Sequence, residues 1–211
     1  MESGTKLDIK NEFLRKLIHI GYSIVPFIYL FFADKNFIVI ATGVLSVLMI
    51  AIDLGRRKIQ WLGNLYMTIL GKILRGHEQG TSPALFTGGT YIVLSSFICF
   101  LMFEKHVAIA AMLITTFCDT AAALYGKHFG KIKVFDKTIE GSIVFFLAGL
   151  VVLYFMGLLT GQFLLIGVLA LFITTIMELL PIQFDDNVVI PFSFCISFNL
   201  LSRVMGVGCA C

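Results

Sequence analysis

Asp119 sits inside a long apolar run, and the segment after it brings Gly126, Gly130, four lysines (Lys127, Lys131, Lys133, Lys137), Thr138, Glu140 and Ser142 in quick succession. A carboxylate in an apolar span is costly and ordinarily faces a bundle interior or a wet cavity. Lysines suit a polyphosphate, and carboxylates suit Mg²⁺, which takes oxygen ligands and bridges phosphates. The stretch 118–142 thus has the composition of a site for a nucleotide and its metal at a membrane surface. On a helix, Ala122, Ala123 and Gly126 share the face of Asp119, at i+3, i+4 and i+7. A strip of small residues lets a ligand approach, and it equally lets another helix pack. Both readings stay open here.

Other ionisable groups fall at a similar membrane depth. Glu178 lies near the end of an apolar run, Asp53 ends another, and His19 opens the first. In "EFLRKLIHI", Glu12, Arg15 or Lys16, and His19 recur at successive helical turns. Snorkelling at a membrane entry explains the first of these, whereas His19 is deeper than an anchor requires and could meet phosphate or transfer a proton. "ELLPIQFDDNVVIP" places Glu178, Asp185, Asp186 and Asn187 in a short loop without a basic residue, and metal binding would explain that acidity. His77, His106 and His128 have no metal-site spacing and are read as loop residues.

These groups need elements to hold them, and composition says which. The chain has 211 residues, 58% hydrophobic and only 14% charged, where a soluble domain carries about a quarter. The expectation is an all-α polytopic helix bundle, one membrane domain over 1–211. Seven spans are placed at about 17–33, 37–53, 84–103, 107–126, 141–160, 162–180 and 188–204. Between the second and third, Ile59, Leu62, Tyr66, Ile69 and Ile73 recur at helical spacing with basic residues at both ends, which predicts an interfacial amphipathic helix. Ser82-Pro83 reads as the N-cap and first helical residue of the third span. The first apolar run is preceded by basic residues but also Glu12, so it is read as a retained span rather than a leader.

Orientation is set by lysine and arginine. With the N-terminus inside, only Lys35, Lys105 and Arg203 of the sixteen fall on the outer side. The N-terminus and the 127–140 loop are therefore expected to be cytoplasmic, and the C-terminus external or lumenal.

Several classes are excluded or disfavoured. Basic residues without interleaved aromatics argue against nucleic-acid binding. The five cysteines form no CxxC or Cys/His zinc pattern; Cys99, Cys118 and Cys195 are placed as small apolar residues, and Cys209 and Cys211 form a terminal C-A-C. No G-x-x-x-x-G-K-[ST] phosphate loop occurs. A small transporter or channel would carry its ionisable residues across the whole membrane, yet the outer halves of these spans have almost none.

Taken together, the residues resemble the CTP-dependent lipid-alcohol kinases: phytol, polyprenol, dolichol and yeast-type diacylglycerol kinases. The central match is D-x-x-A-x-x-x-G-x-x-x-G followed by K-[TS]-x-E-G-S, here Asp119, Ala122, Gly126, Gly130, Lys137, Thr138, Glu140, Gly141 and Ser142. Supporting matches are Arg15-Lys16 with His19, Asp53 with Arg56, Arg75 with Glu78, Thr87-Gly88-Gly89-Thr90, and Asp186-Asn187 before Pro191. The family commonly has T-G-A-T where this chain has T-G-G-T, and glycine where it has Cys118. The resemblance implies transfer of the γ-phosphoryl of CTP, with Mg²⁺, to the hydroxyl of a membrane lipid alcohol. A prenol such as phytol, geranylgeraniol or a polyprenol is the first choice, with diacylglycerol the alternative. A related reading is phosphatidate cytidylyltransferase. The catalytic set implied is Asp119, Glu140, Glu178 and His19. Asp119, Glu140 and Asp186 would hold metal. Arg15, Lys16, Gly126, Gly130, Lys133, Lys137, Thr138 and Ser142 would bind nucleotide. A homodimer is left open.

Overall fold

The computed structural model describes residues 14–71 and 86–207, most of them helical. In chain order these are α1 (14–21), α2 (Ile24–Phe31), α3 (Lys35–Lys58), α4 (Gln60–Leu70), α5 (Gly88–Met102) and α6 (Lys105–Leu113). A π-helical turn, Ile114–Cys118, leads into α7 (Asp119–Phe129). A two-stranded antiparallel hairpin, β1 (Lys133–Val134) and β2 (Lys137–Thr138), precedes α8 (Ile139–Phe155), α9 (Phe163–Leu179) and α10 (Asp186–Val204). Glu12, Lys72, Arg75, His77, Glu78, Ser82-Pro83, Cys209 and Cys211 lie outside the described residues.

Four segments are long and apolar enough to cross a bilayer: Leu14–Phe31, Lys35–Lys58, Lys105–Phe129 and Asp186–Val204. The fold is thus that of an integral membrane helix bundle. The apolar helices α5, α8 and α9, of 15, 17 and 17 residues, fall where further spans are expected but are shorter. At 1.5 Å per residue a 17-residue helix rises about 25 Å, against a hydrocarbon thickness of about 30 Å. By length and composition, four of the seven expected spans meet the full requirement, and the other three fall on shorter apolar helices.

The first span is not one straight helix. Pro26 has no N–H for the carbonyl of Tyr22, and the chain makes a turn at Tyr22-Ser23 between α1 and α2. The α3 helix starts on Asp34, whose carboxylate accepts the Phe37 N–H at 2.7 Å, and ends on Arg56, Arg57 and Lys58, cations that complement the dipole. Those basic residues therefore belong to α3. The expected amphipathic helix is the shorter α4, with Trp61, Leu65 and Met67 exposed.

The core centres on α6, where every residue from Val107 to Ile114 is buried. Its alanines, Ala108, Ala110 and Ala111, let α2, α5 and α10 pack close. Of the apolar stretch in Lys105–Phe129, 72% is buried, against 22% in each of the first two spans, which marks it as the central helix. Several buried hydroxyls bond back along their own helices, as Thr116 does to the Met112 carbonyl (3.0 Å) and Thr174 to Ala170 (2.7 Å), which satisfies them in an apolar interior. Cys99, Cys118 and Cys195 are buried free thiols.

Candidate active site

The central helix does not run evenly into Asp119. A π turn takes an additional residue into its loop, so the residues beyond it are rotated relative to an uninterrupted α-helix, and such turns often occur at functional sites. Here it ends at Cys118, immediately before Asp119. Facing it is α1, from which Lys16 reaches the Asp119 carboxylate in a buried ion pair. His19, one turn along, lies 3.9 Å from the same carboxylate, and its Nε2 is 3.1 Å from the Thr115 carbonyl inside the π turn. A carbonyl can only accept, so Nε2 carries the hydrogen, and in the neutral ring Nδ1 is the acceptor.

A second charged group forms where the hairpin meets α9 and α10. Lys137 Nζ lies 2.8 Å from Glu178 Oε1 and 3.0 Å from Asp186 Oδ1, and also donates to the Glu178 carbonyl. Burial opposes the Lys137 charge, but the Asp186 and Glu178 carboxylates outweigh it and raise its pKa above the ordinary lysine value. Ser142 reaches Glu178 Oε2 at 3.4 Å. Thr138 caps α8 by accepting the Gly141 N–H at 3.1 Å.

Two cavities meet at these groups. One, about 410 Å³, is polar; all eight residues expected to bind nucleotide line it, together with Asp119, Glu178 and Asp186. The other, about 500 Å³, has an apolar wall of Ile18, Tyr22, Ile24, Met49, Ile92 and Val93, with His19 among its polar residues. Arg15, Lys16, Asp119 and Asp186 line both. Residues far apart in the chain are therefore gathered at one junction.

Glu140 does not join them. Its carboxylate accepts the Ile132 N–H at 3.2 and 3.3 Å, and it is not among the residues lining either cavity. That contact staples the hairpin to α8. The two glycines expected to bind nucleotide line the polar cavity, but their lack of a side chain serves packing. A Cβ on Gly126 would stand 2.7 Å from Thr138 Oγ1, and one on Gly130 would stand 2.3 Å from the Gly126 carbonyl oxygen and 2.5 Å from Thr138 Cγ2. Gly130→Ala must push the hairpin off α7, and it is expected to destabilise the protein by about 1–3 kcal/mol. Thermal unfolding in detergent measures this; an unchanged midpoint would show that the hairpin yields freely.

Sequence reasoning set Asp53 beside Arg56 but missed its threonine partners. That buried carboxylate accepts from the Thr87 N–H (2.8 Å), the Thr87 hydroxyl (3.1 Å) and the Thr90 hydroxyl (2.6 Å), while its other oxygen pairs with Arg56 at 3.0 Å. The T-G-G-T segment therefore fastens α5 to the end of α3. Asn187 donates to the Gly88 carbonyl at 3.2 Å, bringing α10 to the same place. Only the paired threonines around two glycines signalled this, since hydroxyls that close can share one acceptor. Asp136, another lining residue of the polar cavity, carried no signal at all.

Among the described residues no group of three or more His, Cys, Asp or Glu side chains is gathered as a metal cage. Mg²⁺ is commonly held by one or two carboxylates plus substrate phosphates rather than by protein alone. Asp119 and Asp186, which face both cavities, fit that kind of site.

No family model matches the chain, and no solved structure matches it. It is similar to an uncharacterised protein of Rickettsia prowazekii, 27% identical over 204 residues, covering 94% of this chain and 98% of that one. It is also similar to CTP-dependent diacylglycerol kinase 1 of Saccharomyces cerevisiae, 26% identical over 147 residues, 67% of this chain and 49% of the kinase. The protein of the same name from Eremothecium gossypii is 26% identical over 147 residues, covering 67% and 45%. The chain therefore spans about half the length of the two fungal kinases it matches.

Proposed function

We propose that the protein is a membrane lipid kinase that moves the γ-phosphoryl group of CTP to a lipid hydroxyl, using a site in which a polar and an apolar cavity share Arg15, Lys16, Asp119 and Asp186. That junction is the observation that carries the reading. A phosphoryl donor with a highly charged tail suits the polar cavity, and a lipid suits the apolar one. Transfer requires both to meet at one point in reach of cations and carboxylates.

Phosphoryl transfer depends mainly on positioning and charge neutralisation. Lys133 and Lys137 hold the phosphates, and Lys16 with Arg15 meets the group in transit. Mg²⁺ supplies further neutralisation of the phosphate oxygens when bound, with Asp119 and Asp186 as the carboxylates that would hold it. The lipid oxygen bonds to the terminal phosphorus, the bond to the β-phosphate oxygen breaks, and CDP leaves. His19 stands on the wall of the apolar cavity, and its Nδ1 orients the acceptor hydroxyl and receives its proton. Glu178, which lines the polar cavity, holds Lys137 in place for the phosphates.

Diacylglycerol is the first acceptor to test, because the fungal relatives are diacylglycerol kinases by name; phytol, geranylgeraniol and a longer polyprenol are tested beside it. The proposal includes a single 1–211 domain crossing the membrane seven times, α5, α8 and α9 included, with the N-terminus and both cavities' polar junction cytoplasmic and the C-terminus on the other side. Purified protein in mixed micelles is expected to transfer label to lipid from γ-labelled CTP and none from cytosine-labelled CTP. Cytosine label in lipid with pyrophosphate release would make it a cytidylyltransferase. Ion flux in vesicles without lipid labelling would make it a transporter.

A further inference from the structure

The hairpin β1–β2 joins α7 to α8, so it lies where two apolar helices end. Its turn carries Phe135 at φ 56°, a left-handed conformation that a bulky side chain rarely adopts. The Phe135 side chain is 62% exposed and Ile132 is 57% exposed, so contacts within the chain offset little of that strain. Ile132 is nevertheless held firmly. Its N–H is bound by Glu140, and its carbonyl accepts the Ile139 N–H at 3.0 Å. Ile139 in turn opens a row of exposed apolar side chains along α8, continued by Ile143, Leu147, Val151 and Tyr154. Their spacing of three to four residues puts them on one helix face, which in an apolar helix of a membrane bundle is the lipid-facing one. The Ile139–Ile132 backbone bond holds Ile132 beside the start of that row, and Phe135 follows in the hairpin turn.

We infer that the hairpin is a membrane anchor, with Ile132 and Phe135 seated at the boundary between headgroups and acyl chains of the adjoining leaflet. Apolar and aromatic side chains at that depth are stabilised by burial while the backbone stays near water. Lys131, exposed beside Ile132, can reach lipid phosphates from the same loop. The occupant is lipid rather than a second copy of the chain, because the apolar surface is continuous with the lipid-facing row of α8. The anchor has a consequence for the polar cavity: Lys133, Asp136 and Lys137 belong to the hairpin and line that cavity, so seating the tip in the leaflet fixes their height. The inference rests on the membrane bundle and not on the proposed reaction.

The test uses the full chain in phosphatidylcholine–phosphatidylglycerol vesicles. Trp61→Phe removes the single tryptophan, and Phe135→Trp or, separately, Ile132→Trp puts a reporter in the hairpin. Emission from both is expected to be quenched several-fold more by lipids brominated near the top of the acyl chain than by aqueous iodide, with or without CTP and Mg²⁺. Strong iodide quenching with no effect of brominated lipid overturns the anchor and puts the tip in water. Shielding that arises only on adding CTP overturns it in favour of closure over the nucleotide. Shielding that tracks protein density in the vesicle, with brominated lipid silent, overturns it in favour of contact between copies.

Discussion

Asp119→Asn is expected to lower the proposed lipid phosphorylation by ~10²–10³-fold in the folded protein, the scale of losing one preorganised charge at a reacting centre. The substitution keeps the size of the side chain and removes the charge that both cavities share. It also has a second effect. Lys16, only 5% exposed, loses its counter-charge, and breaking a buried pair from one side costs about 3–5 kcal/mol. Loss of activity alone would therefore not separate chemistry from folding. The double variant Lys16→Gln/Asp119→Asn removes both charges, and it is expected to recover most of the stability of the single variant while remaining inactive. Stability comes from unfolding in detergent, and activity from γ-labelled CTP with the folded fraction counted. A double variant that regains stability and phosphorylates lipid at a near-normal rate would sink the functional assignment of Asp119, leaving the pair a structural tie between α1 and α7.

Lys137→Met carries the other large effect. It leaves the carboxylates of Glu178 and Asp186 facing one another without the cation that binds both. The loss is expected to be about 3 kcal/mol of stability at neutral pH, the lower end for a one-sided break because Lys137 is partly exposed. Its sign with pH is set by the raised pKa of Lys137, where burial is outweighed by the two carboxylates. The stabilisation is complete below the unfolded lysine value of about 10.4 and fades as pH rises through the higher folded value. The wild type and Lys137→Met should therefore converge in stability above that range and differ fully at pH 7. Activity should fall together with an increase in the KM for CTP, since the same amine is assigned to the phosphates. Lys137→Arg keeps the charge and should restore stability more fully than activity, because its planar fork does not reproduce a point charge. A Lys137→Met protein with unaltered KM for CTP would remove the phosphate role.

How much of the site was legible depended on the kind of residue. Asp119 could be found because a carboxylate in an apolar run is expensive wherever it lies. The lysines and glycines after it could be grouped because they share one short loop, and the structure does put Lys133, Lys137, Gly126 and Gly130 around one cavity. For Glu140 the sequence left the direction of the side chain open. Its place in the motif matched its neighbours, but the first turn of α8 directs its carboxylate to the Ile132 amide rather than into the cavity. The break at Tyr22-Ser23 had a visible cause in Pro26, and the π turn before Asp119 had none.

By itself the sequence determined that this is a membrane-embedded helix bundle, and that a carboxylate within its apolar runs is followed by a lysine-rich loop. Each of these is a matter of local chemistry, since apolar length, the cost of a buried charge and the affinity of lysine for anions do not depend on partners. Only the tertiary structure decided that Lys16 answers Asp119 across 103 positions, that Lys137 answers Glu178 and Asp186, and that Asp53 is spent on Thr87 and Thr90. Pairings of that range are set by which helix faces pack together around α6, a property of the whole bundle that no single segment contains. The meeting of the polar and apolar cavities is of the same kind, because α1, α7 and α10 each contribute one wall and none contains the junction.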